Sequence, residues 1–145
     1  MDLPTAREVI HSHHGEDHVS LTYEARFLRR KVLTTAKGVE FLVDLAQTSS
    51  VGRGDAFKLS DGRLIEVVPA SEALLEVTGD LPRLAWHIGN RHTPCQVEDS
   101  RLLIQVDHVL RDMLEKLGAD LREVTAPFTP EGGAYGHGRT HGHSH

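Results

Sequence analysis

This 145-residue sequence predicts an α+β fold in two parts, with a disordered histidine-rich tail. Three observations carry that expectation. Up to about residue 72 the apolar residues come in short runs rich in β-branched side chains, and no 3.6-residue period survives for three turns. From residue 73, two amphipathic segments of helical period alternate with short apolar runs in the order β-α-β-β-α-β. The last ten residues, GHGRTHGHSH, hold four histidines and no aliphatic side chain. Such a stretch has nothing to bury against the entropy of ordering it.

In residues 1–72, a small β-rich domain, HVSLTYEARF (18–27) and VEFLVDLA (39–46) read as strands. FKLSDGRLIEVV (57–68) sets Asp61-Gly62 between two apolar runs, the chemistry of a tight type I′ hairpin. Residues 73–132 form the second domain. EALLEV (72–77) suits a strand, Gly79-Asp80 breaks it, and Asp80 caps a helix with Pro82 in its first turn. Leu81, Leu84, Ala85 and Ile88 make the apolar stripe of that helix, which ends near Asn90. CQVED and RLLIQV are short strands. Asp107 caps a second helix with Val109, Leu110, Met113, Leu114 and Leu117 on one face, and Gly118 ends it. DLREVTAPF is the last strand of what reads as a ferredoxin-like βαββαβ domain. Residues 133–145 are the tail.

Composition narrows the function. Apolar residues at 39% and charged residues at 26% are globular values. Aromatics at 5%, a formal charge of −5 and no dense Lys/Arg face argue against nucleic acid as a partner. Protonating all eleven histidines would move that charge to +6, so any metal affinity should fall in mild acid. The single cysteine, Cys95, permits no intrachain disulfide. With no signal-like start and no run of 18 apolar residues, a cytoplasmic protein without a membrane partner is expected. No Walker loop, His-Glu-x-x-His, Cys-x-x-Cys or Gly-x-Ser-x-Gly motif is present, so an enzyme is not expected.

The histidines are the unusual chemistry. His92, at the end of the first helix and on roughly the side of Leu81 and Ile88, suits either a partly buried structural role or a metal ligand. His108 opens the second helix, where the macrodipole disfavours imidazolium and so keeps the ring available. His87 lies off the apolar stripe. Near the start, HSHHGEDH gathers His11, His13, His14 and His18 with Glu16 and Asp17, a weak metal cluster or an exposed loop that matches no closed site. Cys95, three residues after His92, offers a soft donor for zinc or nickel or a small buried side chain.

WHIGNRHTP (86–94), DHVLRDMLEKLGADL (107–121) and APFTPEGGAYGHG (126–138) resemble the UreE urease accessory proteins in order and spacing. RRKVLTTAKGVEFLVDLA and GRGDAFKLSDGRLIEVVPASE resemble them more loosely. The resemblance implies a nickel metallochaperone that delivers Ni(II) to apo-urease, with Zn(II) or Cu(II) as competitors. It implies a partner-binding N-terminal domain, a homodimer joined through the second domain, and metal held at the interface. Its partners would be the urease apo-enzyme complex and the GTPase accessory protein. Carried over by motif, His92 is the shared interfacial ligand and His108 a further metal position. Two residues before His108, where some members have histidine, this chain has Val106. His137, His141, His143 and His145 are tail ligands in this reading. A general zinc or nickel buffer is the alternative.

Overall fold

A computed structural model describes residues 2–12 and 14–132. The predicted disorder of residues 133–145, and His13, His137, His141, His143 and His145, lie outside the described residues. Among the described residues, strands and two α-helices make a mixed α+β fold. It divides into two compact units, Met1–Ala70 and Ser71–His145.

The first unit contains β1 (Thr5–His11), β2 (Asp17–Leu21), β3 (Phe27–Thr34), β4 (Glu40–Ser50), β5 (Asp55–Leu59) and β6 (Leu64–Pro69). They form one sheet in the order β2-β6-β5-β1-β4-β3. β1 runs parallel to β4 and β2 parallel to β6, while the other neighbours are antiparallel. Two-residue alternation selects the buried side. Phe41, Val43 and Leu45 of β4 and Ile65 and Val67 of β6 enter one apolar core with Ala6, Val19 and Phe57.

Two local expectations are corrected here. HVSLTYEARF is not one strand, because β2 ends at Leu21 and a single 3-10 turn spans Glu24–Arg26. The Thr22 hydroxyl accepts the Ala25 N–H at 3.3 Å, and the Arg26 N–H returns to the Thr22 carbonyl at 3.0 Å. The buried Arg26 guanidinium donates to the Leu21 carbonyl at 2.9 Å and lies 5.7 Å from the Tyr23 ring centre. The hairpin between β5 and β6 is not type I′, which needs positive φ at both central residues. Only Gly62 has it, at +92°. Gly62 N–H bonds Leu59 O and Leu59 N–H bonds Arg63 O, both at 2.9 Å. That is a three-residue loop closed by a glycine bulge.

The second unit runs β7 (Ser71–Thr78), α1 (Leu81–Asn90), β8 (Gln96–Val97), β9 (Leu102–Gln105), α2 (His108–Lys116) and β10 (Asp120–Pro127). Its antiparallel sheet has the order β10-β7-β9-β8. Leu75 and Val77 of β7, with Leu102 and Ile104 of β9, meet Leu84 and Ile88 of α1 and Leu110 and Leu114 of α2 in one core. Val109 departs from its expected place on that face and is 49% exposed. It falls at the margin of the stripe in the first turn, and Leu110 and Leu114 cover the sheet instead.

A polar latch ties the strands of this sheet together. Arg101 reaches Glu76 and Glu98, each at 2.9 Å, and Arg122 reaches Glu76 at 3.1 Å. Gln96 donates to Glu98 at 2.7 Å and accepts the Thr129 N–H at 2.8 Å.

Leu114→Ala should destabilise the metal-free protein by about 2–5 kcal/mol in denaturant unfolding. Val109→Ala, one residue from the equally apolar Leu110, should stay within about 0.5 kcal/mol of the parent. Equal losses would contradict the packing described.

The Arg101 hydrogen bonds, helped by Arg122, hold the Glu76 carboxyl below its ordinary 4.5. Because the folded value is depressed, this stabilisation is full above about 4.5 and disappears as pH falls through the lower folded value. Glu76→Gln should therefore lose less stability than the parent between neutral and strongly acid pH, as read from melting temperatures across that range.

Candidate metal centre

The site begins with the cap and burial that fix α1. Asp80 accepts the Arg83 N–H at 3.4 Å, and Pro82 occupies an early position that needs no donor. Leu84 and Ile88 are buried, so the rotation of the helix about its axis is set by the sheet below. At the other end the His92 N–H bonds the Gly89 carbonyl at 2.9 Å and the Thr93 N–H bonds the Ile88 carbonyl at 3.4 Å. These two bonds form the Schellman closure of a helix C-terminus. They require a left-handed residue between them, and His92 supplies it with φ +57°.

His92 is thus past the helix rather than on its apolar face, which corrects the expected alignment with Leu81 and Ile88. The half-buried ring lies at an open depression lined also by Thr93, Pro94, Gln105, Val106, Asp107 and Leu110. Gln105 ends β9, and Asp107 caps α2 by accepting the Val109 and Leu110 N–H groups at 2.8 and 3.1 Å. The end of α1 and the start of α2 therefore share one wall. His108 is the first residue of α2 and is exposed, though it does not line the depression. Sequence reasoning missed the left-handed turn. Pro94, shortly after the helix end, was the available signal, since proline commonly follows such a closure.

The other donors stand apart. His87 is half-buried and meets the exposed Trp86 ring edge-on, with centroids 5.0 Å apart. Glu98 is engaged by Arg101 and Gln96. In the first unit, His11 Nδ1 lies 2.9 Å from Asp55 Oδ1, while His14, Glu16 and His18 are exposed. Asp17 accepts the backbone N–H groups of His18 and Lys37. Among the described residues, no three His, Cys, Asp or Glu side chains gather into a metal-holding group.

Cys95 is half-buried against the apolar core of the second unit. Burial, assisted by the negative charge of Glu131, pushes its thiol up to about 11. The neutral thiol is the favoured form near pH 7, and a thiolate donor beside His92 is correspondingly disfavoured.

The sequence matches known family models over both units. The model of the UreE urease accessory protein N-terminal domain matches residues 3–70, and that of the C-terminal domain matches residues 69–145. A urease accessory protein UreE of Ruegeria pomeroyi is 65% identical over 149 residues, covering 100% of both chains. Proteins of the same name from Rhodobacter capsulatus and Paracoccus denitrificans are 62% and 54% identical. These cover 89% and 95% of this chain, and 83% and 90% of their own lengths.

Cys95 should react slowly with a thiol reagent at neutral pH in the native protein and rapidly after denaturation. Equal rates in the two states would show that burial does not hold the thiol protonated.

Proposed function

The chain belongs to the UreE urease accessory protein family, and on that premise we propose that it is a nickel metallochaperone delivering Ni(II) to apo-urease during active-site assembly. Membership makes it an accessory protein of urease assembly and not an enzyme. The observation that carries the nickel reading is the placement of His92 at the depression shared by the ends of α1 and α2. One imidazole does not hold a divalent ion. A homodimer with its two-fold axis at this point doubles the donor without further sequence.

Exposed Val106 and Val109, at 45% and 49%, offer apolar surface beside the depression for a second copy. In this proposal His92 of each subunit forms the shared site. His108 and the tail residues His137, His141, His143 and His145 supply further donors. Neutral imidazole suits Ni(II), and equally suits Zn(II) and Cu(II), which compete until geometry selects among them. A proton competes for the same lone pair, so acid favours release.

The finer architecture belongs to the same proposal. Residues 73–132 are read as a ferredoxin-like metal-binding and dimerisation domain, a reading supported by the chain order β-α-β-β-α-β and the sheet order β10-β7-β9-β8. Residues 1–72 form the partner-binding domain, and residues 133–145 the histidine-rich tail. The proposed partners are the urease apo-enzyme complex and its GTPase accessory protein, in the cytoplasm. Among the described residues no helix is long and apolar enough to cross a membrane.

The decisive experiment is nickel transfer to apo-urease, with its accessory proteins, from the parent and from His92→Ala. Titration calorimetry of the variant should show the tightest nickel site lost, since both its copies of the ligand are gone, and urease activation should fall with it. An unchanged tight site in His92→Ala would overturn the interfacial assignment. Tight binding by the parent without any activation would indicate a buffer instead of a carrier.

A further inference from the structure

The second unit contains an internal comparison that bears on His92. Both of its helices end in the same closure. After α2, the Gly118 N–H bonds the Glu115 carbonyl and the Ala119 N–H bonds the Leu114 carbonyl, each at 3.0 Å. After α1, the matching bonds run from His92 to Gly89 at 2.9 Å and from Thr93 to Ile88 at 3.4 Å. The left-handed position is glycine in α2, at φ +87°, and histidine in α1, at φ +57°. Among the described residues, His92 is the only non-glycine residue with positive φ.

A side chain in this region brings Cβ against the following carbonyl, a penalty glycine avoids. The same unit thus uses the relaxed residue at one helix end and a strained one at the other. The strained one faces the depression between α1 and α2. Backbone strain of this kind persists only where the surrounding structure imposes it. Here the imposing groups are the carbonyls of Ile88 and Gly89, fixed by the burial of Ile88 and Leu84.

We infer that the fold holds the His92 imidazole preset for metal at the expense of its own stability, the α1 closure acting as the positioning device. This rests on the reading of His92 as a ligand and deepens it. Folding bears the strain, so metal arriving at the ring meets a backbone already in the bound conformation. Less ordering then opposes binding than at a ligand carried on a loose loop.

The test uses the full chain, metal-free and with nickel(II) added alone. His92→Gly relieves the strain, whereas His92→Ala keeps a Cβ in the left-handed position. In denaturant unfolding without metal, the glycine variant should have an unfolding constant lower than the alanine variant by on the order of fivefold. Gly118→Ala should shift stability by a similar factor in the opposite direction, since it places a Cβ at the equivalent position of α2.

Both His92 variants should lose the tight nickel site in calorimetry. In the parent, amide exchange at His92 and Thr93 should be slow without metal and little changed by zinc(II), a diamagnetic probe. A glycine variant no more stable than the alanine variant would overturn the strain, and loss of nickel in both would then leave the ligand reading standing. Tight nickel binding kept by both variants would overturn the ligand reading and the purpose assigned to the strain. Amides protected only after zinc(II) is added would show that metal, not the fold, builds the turn.

Discussion

The Ile88 carbonyl accepts hydrogen bonds from the Arg91 and Thr93 N–H groups, and the place of His92 depends on that acceptor. Its position follows from packing. The Ile88 side chain is wholly buried against Leu75, Val77, Leu102 and Ile104 with Leu84 beside it, so α1 can neither rotate nor slide without opening the core. A helix held in this way must end where its apolar face ends. The turn that satisfies its last carbonyls then carries the imidazole to the wall formed by Gln105, Val106 and Asp107. Asp107 fixes the other side of that wall by capping α2. Two caps and one closure therefore build the depression before any metal is considered.

The same packing separates nitrogen donors from sulfur. Cys95 lies three residues from His92 in sequence but packs on the core, where loss of solvation disfavours its thiolate. In the proposed carrier this leaves imidazole as the working donor, which binds without a net negative charge and yields to protons in mild acid. Four carboxylates of the unit are placed for structure. Glu76 and Glu98 are bound to Arg101, and Asp80 and Asp107 to helix N-termini. In the proposed carrier, neutral nitrogen donors suit an ion that must be held and later surrendered.

Much of this was legible in the sequence wherever the cause was local. Asp80, Pro82, Asp107 and Gly118 announced both helices, and the caps are where those residues put them. Leu84, Ile88, Leu110 and Leu114 were readable as core from spacing alone. Misreadings arose where two local signals competed or where a neighbour decided the outcome. Asp61-Gly62 carries the composition of a two-residue hairpin, but with Leu59 and Arg63 paired across it the loop takes three residues and only Gly62 is left-handed. Thr22 is a good strand residue whose hydroxyl instead receives the Ala25 N–H and ends β2. Val109 has the right type and nearly the right phase for the core, but it lies at the margin of the stripe, and Leu110 and Leu114 cover the sheet instead.

By itself the sequence determined the periodicity, the helix caps, the breaks between elements and the motif blocks that match its family, because each depends on residues within a few positions of one another. Tertiary structure decided which strands are neighbours, including the parallel pairing of β1 with β4 and the insertion of β7 between β10 and β9. It also decided the conformation of His92. Pro94 marks a helix end nearby, but no neighbouring residue assigns the left-handed position to a histidine, and glycine, as at Gly118, would adopt it with less strain. That conformation exists because Ile88 is anchored by Val77, Leu75, Leu102 and Ile104, all more than ten positions from it in sequence, and contacts at that separation are not written in the order of neighbouring residues.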